Sequence, residues 1–171
     1  MYNEKQSFLK SKAIWIPLVP LLFFIYGFYH QFILKIPFGN HPMSNMGFLL
    51  FFSGYMLFLI FFISISLETK IFEEGISVRF FPIQLKPIFF KWEDITKVEI
   101  VTYNPILEYG GWGYRGFNFN RKRALNIAGN KGVKITFNDG KSLLIGTQKK
   151  DDVQKILSTI EKVNAKYSSI I

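Results

Sequence analysis

Residues 46–67 read MGFLLFFSGYMLFLIFFISISL, 22 positions without Asp, Glu, Lys or Arg. Fourteen of them are Leu, Ile or Phe. A helix needs roughly 20 apolar residues to cross a hydrocarbon core about 30 Å thick. At about −0.3 to −0.6 kcal/mol for each such residue near mid-membrane, this stretch favours insertion strongly. Residues 13–34, AIWIPLVPLLFFIYGFYHQFIL, are a second uncharged run of the same length. The two runs predict a pair of membrane-spanning helices, 13–34 and 46–67. Residues 1–12 are then a polar cytoplasmic tail and 35–45 an extracytoplasmic loop. Residues 68–165 form a cytoplasmic head, and 166–171 a frayed tail.

A cleaved signal peptide is the rival for the first run, because Lys5, Lys10 and Lys12 precede it. Signal cores are usually about 7–15 residues long and end at a small-x-small site. This run is longer and is followed by Lys35, Ile36 and Pro37. The lysine bias orients the pair. Three lysines lie before the first helix and one in the loop, with Lys70, Arg79 and Lys86 after the second. Both termini are expected in the cytoplasm, in a multi-pass integral membrane protein. Trp15 at one end of the first helix, with Tyr26 and Tyr29 near the other, suits an aromatic belt. Pro17 and Pro20 fall in its first turns, where proline costs least. The second run holds Gly47, Ser53, Gly54, Ser64 and Ser66 but no Gly-x-x-x-Gly, so a hairpin is expected without a legible dimer motif.

After Glu68 the period changes to two. Ile76, Val78 and Phe80 alternate with Ser77, Arg79 and Phe81, and Val133, Ile135 and Phe137 with Lys134 and Thr136. Such alternation marks strands with one buried face. Turn signals divide the segment at Glu74-Gly75, Pro82, Pro87, Asn104-Pro105, the run 129–132 and Asp139-Gly140. Strands are expected near 69–74, 76–81, 87–91, 95–103, 113–119, 123–127, 132–137 and 141–146. Val153, Ile156, Leu157, Ile160 and Val163 then recur at helical spacing. Asp151 and Asp152 lie near the start of that helix and Lys162 and Lys166 near its end, as its dipole favours. A sheet of about seven strands must bury one face, and can curl into a barrel or sandwich plugged by this helix.

That series resembles a pleckstrin-homology (PH) fold. The opening 69–79, TKIFEEGISVR, followed by 90–95, FKWEDI, is similar to bacterial PH-like domains tethered behind transmembrane helices. The runs 109–116, YGGWGYRG, 124–132, ALNIAGNKG, and 144–148, LIGTQ, resemble one subgroup of these. The resemblance covers 69–165 and implies a membrane α-helical hairpin plus a PH-like domain. That domain would be an about seven-stranded, antiparallel, partly open β-barrel capped by a C-terminal α-helix. It implies architecture more than function. One departure stands out: phosphoinositide-binding PH domains carry basic residues between their first two strands, and this chain has Glu73-Glu74-Gly75 there. That binding mode is not carried over.

Residues 111–116 match Gly-x-Gly-x-x-Gly, but a dinucleotide fingerprint needs a strand before it and a helix after it. The residues that follow read as strand or loop. Two readings remain: a glycine-rich bend packed under Trp112, or a protein-recognition loop presenting Trp112, Tyr114 and Arg115. Arg121, Lys122 and Arg123 form the densest charge run. It is either a solvated loop or a contact for anionic lipid, worth about 1 kcal/mol per basic residue near the surface. From Glu68 onward there are 17 Lys/Arg and 11 Asp/Glu, a net of +6. Nucleic acid would suit this charge, but no nucleic-acid-binding signature accompanies it.

The chain has no Cys, and its two histidines, His30 and His41, precede the head. Ser-His and Cys-His nucleophiles and common zinc sites therefore find no residues there. The pairs Glu73/Glu74, Glu93/Asp94 and Asp151/Asp152 are each adjacent in sequence and point apart in a strand or cap a helix. No catalytic, cofactor or metal site is expected. The leading expectation is a non-enzymatic, membrane-tethered binding or interaction module at the cytoplasmic face. Its partners would be the bilayer, with anionic lipid headgroups, a membrane protein or further copies of itself. The alternative is a small regulatory or assembly subunit of a larger membrane complex.

Overall fold

The computed structural model describes residues 1–116 and 122–168, with side chains described for 1–116 and 123–160. The chain divides into two units, Phe8–Ile65 and Met1–Ser7 with Ser66–Ile171.

The first unit is helical. Short 3₁₀ turns lead into α1, Trp15–Phe28, which continues as a single π turn, Tyr29–Ile33. α2 spans Asn45–Ser64, with the Ser44 hydroxyl capping it by accepting the Gly47 N–H at 3.2 Å. Lys12–Ile33 and Asn45–Ser64 are each long and apolar enough to cross a membrane. Only 11% of the most apolar window of each is buried. A core helix of a globular protein would be mostly covered. The second helix ends three residues before the expected 67, because the chain turns extended at Ile65.

Aromatic rings and one glycine join α1 to α2. Phe24 stacks on Tyr55 with centroids 4.6 Å apart and lies near Phe48, Phe51 and Phe52. A Cβ on Gly27 would come within 3.0–3.1 Å of Phe38 and Phe48. The small residue used for close packing is therefore on α1, whereas the sequence drew attention to those of α2. The Tyr55 hydroxyl donates to the Pro17 carbonyl, and Gln31 Nε2 donates to Asn45 Oδ1 at 2.8 Å.

The second unit is a β head. Residues expected as a polar tail instead form a strand, β1, Tyr2–Ser7, antiparallel to β2, Ser66–Ile71. β3, Gly75–Phe81, and β4, Ile88–Lys91, complete a four-stranded sheet in the order β1-β2-β3-β4. A 3₁₀ turn, Trp92–Asp94, then leads into the second sheet. It comprises β5, Ile95–Thr102, β6, Gly113–Arg115, β7, Lys122–Asn126, β8, Lys131–Phe137, and β9, Ser142–Gly146. Its order is β5-β8-β9-β7-β6. A short helix α3, Pro105–Tyr109, precedes β6, and α4, Lys150–Ser168, ends the chain's described part.

The head is therefore two mostly antiparallel sheets and a terminal helix, and the sheets do not close into a barrel. Two features oppose the expected antiparallel barrel. β7 pairs with β9 in parallel, and the β4–β5 turn carries the chain to a different sheet. Leu67, Ile71, Ile76, Val78 and Phe80 of the first sheet are buried, as are Ala124, Val133, Ile135, Leu144 and Ile145 of the second. Val153 and Ile160 on one face of α4 are buried too. Each buried Leu, Ile, Val or Phe side chain contributes about 1.5–3 kcal/mol.

Candidate functional site

The two sheets of the head enclose a cleft lined by Val78, Gln84, Ile88, Phe90, Tyr114, Arg115, Arg123, Leu125 and Leu143. Its position follows from strand pairing. Tyr114 faces Leu125 across β6 and β7, and Arg123, two residues before Leu125, lies on that same face, while Arg115 lines the cleft from the last position of β6. Gln84 reaches over from the β3–β4 loop. Its Oε1 accepts the Phe80 N–H at 2.9 Å, and its Nε2 donates to the Tyr114 hydroxyl at 3.4 Å. The Tyr114 ring meets Phe80 edge-on at 5.7 Å. The floor is apolar, and the rim carries two exposed guanidinium groups.

Neither guanidinium forms an ion pair among the described residues. Arg115 Nε donates to the Trp112 carbonyl at 3.1 Å, which fixes the side chain without neutralising it. Arg123 lies near the Asp139 carboxylate, which Lys141 already binds at 2.6 Å. Hydrogen bonds from Lys141 hold Asp139 below the usual carboxylate range, so it stays ionised at neutral pH. The free volume of the cleft is about 30 Å³. Small-molecule pockets run to about 300 Å³ and more, so this cleft suits an anionic group or side chain approaching from outside. A larger groove of about 150 Å³ lies on the other face of β2 and β3, lined by Glu68, Lys70, Ser77, Arg79 and Pro87. Its cations are already matched. Lys70 and Arg79 lie 3.1 and 2.7 Å from Glu68, whose carboxyl is pulled below its ordinary range first by Lys70 and then by Arg79.

The residues singled out from sequence divide accordingly. Tyr114 and Arg115 come together with Arg123. Trp112 does not join them: its indole Nε1 donates to the Gly129 carbonyl at 2.9 Å, tying this bend to the β7–β8 turn, and 40% of the residue is exposed. Arg121 and the Lys122 side chain lie outside the described residues. The glycine-rich run follows a helix and leads into a strand, the reverse of the dinucleotide arrangement. Gly110 and Gly111 adopt φ of 73° and 116°, which favours glycine and lets α3 end and turn sharply. Buried Asn126 secures the bend, accepting the Gly113 N–H at 2.8 Å and donating to the Tyr103 hydroxyl at 3.1 Å. Burial pushes the Tyr103 hydroxyl up. Gln84 was missed from sequence, and only the pairing of β3 with β4 shows where it sits.

The second missed feature is a buried polar cluster around Glu4. Its carboxylate accepts from the Tyr2 hydroxyl, the Thr147 hydroxyl and the Gln148 N–H, each at 2.7 Å. Gln6 Nε2 donates to the Gly146 carbonyl at 2.7 Å. These contacts fix β1 to the junction between β9 and α4. Among the described residues, no group of three or more His, Asp or Glu could hold a metal ion. No protein-family model, curated protein or solved structure matches the chain.

Proposed function

We propose that the protein is a non-enzymatic, membrane-tethered binding module. Two helices hold a PH-like head at the cytoplasmic face, and the Arg115–Arg123 cleft binds an anionic group at that surface. One observation carries the tethering. β1 runs directly into the helical unit and β2 directly out of it, and the two strands pair with Ser7 opposite Ser66. A folded head that holds both ends of a two-helix segment favours an even number of crossings, with both termini on one side. It also speaks against a cleaved leader, since cleavage after the first apolar run would remove β1 from the sheet. The lysine bias supports the cytoplasm as that side. For the cleft, the support is its two exposed guanidinium groups, neither in an ion pair among the described residues, over an apolar floor. Arginine forks match planar or tetrahedral oxyanions well.

The chain lacks cysteine, so single thiols report topology without background. Asn40→Cys, in the loop between helices, should react with a membrane-impermeant maleimide on intact cells. Glu74→Cys, in the head, should react only after permeabilisation. Alkaline carbonate should leave the full chain in the membrane pellet. Release by carbonate, or both thiols reacting from one side, would overturn the tethering.

A further inference from the structure

The four-stranded sheet has two ends of opposite character. At one end Ser7 pairs with Ser66 and Ser66 with Phe81, so the chain passes to and from the helices there. At the other end lies the β2–β3 turn with Glu73 and Glu74. Gly75 pairs with Lys91, and the Trp92 N–H donates to the Glu74 carbonyl at 3.3 Å. Glu73, Glu74, Glu93 and Asp94 therefore share the far end, roughly 17–20 Å away along a six-residue strand.

The β3–β4 loop, residues 82–87, departs from Phe81 and so lies at the near end. It reads PIQLKP. Leu85 is 73% exposed and Ile83 44%. The backbone there is fixed by the Gln84 N–H donating to the Phe80 carbonyl at 2.7 Å. Residues 75–92 contain Arg79, Lys86 and Lys91 and no Asp or Glu. Two bare aliphatic side chains and an ammonium group thus project where the chain meets its apolar helices. That combination suits the bilayer boundary, with aliphatic groups among the acyl chains and the lysine among phosphates.

We propose that the β3–β4 loop inserts Ile83 and Leu85 into the headgroup–acyl boundary of the leaflet from which the helices start. The head is then held to the membrane at a third point besides its two covalent links. This rests on the tethering reading, and the test separates the two. Three single-cysteine full-length proteins, Leu85→Cys, Glu74→Cys and Leu57→Cys, are labelled with an environment-sensitive fluorophore. They are reconstituted in vesicles of phosphatidylglycerol and phosphatidylethanolamine. All three positions are exposed, so the label replaces no core contact. The Leu85 probe should show blue-shifted emission and lose intensity to lipids carrying a nitroxide near the headgroup. The Glu74 probe should keep a water-like spectrum and be unaffected. The Leu57 probe, within α2, should be quenched most by nitroxides near the bilayer centre. A quenched Leu57 probe with a water-like Leu85 probe overturns the loop insertion alone. Leu57 unquenched by any nitroxide lipid overturns the tethering and the insertion with it.

Discussion

The Thr147 hydroxyl donates to Glu4 Oε2 at 2.7 Å across 143 residues of sequence. Tyr2 adds a second donor to the same oxygen, and the Gln148 N–H serves the other. The first strand of the chain is thereby locked to the start of its last helix. Glu4, Tyr2 and Thr147 are all buried, so the two hydroxyl donors have no water to turn to. Glu4→Ala should destabilise the head by about 3 kcal/mol, since each donor left unpaired costs about 1–3 kcal/mol. Glu4→Gln should lie between, because its amide oxygen still accepts. Thermal unfolding of the detergent-solubilised full chain, followed by tryptophan fluorescence, reads the difference. An unchanged midpoint in Glu4→Ala would mean that the cluster holds nothing together.

The strand pairing predicts a minimal soluble head. Phe8 N–H donates to the Ile65 carbonyl at 3.3 Å, extending the β1–β2 ladder by one step. Two strands closed in this way accept a two-residue turn, for which Asn-Gly is favoured. Replacing residues 9–64 by Asn-Gly should therefore give a water-soluble, cooperatively unfolding protein. Simple removal of residues 1–65 should give a markedly less stable one, because β2 becomes a bare edge and Glu4 is lost. Circular dichroism during urea unfolding compares them. Equal midpoints would show that β1 is dispensable.

Legibility in the sequence followed the size of the apolar signal. The two apolar helices announce themselves by uninterrupted composition, and β3, β8 and α4 by large apolar residues repeated at their own period; each lies within a few residues of its expected place. β1 alternates just as regularly, but its inward residues are Tyr2, Glu4 and Gln6, so hydrophobicity carries no period there. Their polarity is explained only by the β9–α4 junction they contact. α3 did leave a trace: Asn104 caps the N–H groups of Ile106 and Leu107, Pro105 opens the helix and Gly110 closes it. Asn-Pro read alone gave only a turn. The parallel β7–β9 pairing is set by packing of the whole sheet, and no local residue pattern announces it. Of the cleft, Tyr114 and Arg115 were legible as an aromatic–basic pair, whereas Gln84 belongs to another sheet 30 residues away.

Tyr2 links the Glu4 cluster to alkaline pH. Burial above all, and then the hydrogen bond to Glu4, raise its hydroxyl far above the ordinary tyrosine value. The folded head thus holds this proton more tightly than the unfolded chain does. The contribution is complete below about pH 10, the ordinary value, and is lost as the pH rises beyond it. Tyr2→Phe should cost about 1 kcal/mol at neutral pH through the missing hydrogen bond. The gap between Tyr2→Phe and the parent should then narrow above about pH 10. Tyr103 and Tyr109, whose hydroxyls burial also raises, cancel in this comparison. A gap independent of pH would mean that Tyr2 is not protected from water.

The cleft arginines can be tested on the joined head once it folds. Binding to phosphatidylglycerol vesicles, measured by sedimentation, should weaken as salt rises, because exposed charges are screened within about 10 Å at 0.1 M. Arg115→Ala and Arg123→Ala should each remove about 1 kcal/mol, roughly a fivefold loss. The comparison residue is Lys97 on β5, which Glu99 already neutralises at 2.7 Å. Lys97→Ala alters the net charge as either arginine variant does, yet should change binding far less. Equal losses at all three positions would reduce the cleft to one part of a diffuse positive surface. A loss confined to Arg115 and Arg123 would place the anion site at the cleft that these two residues line.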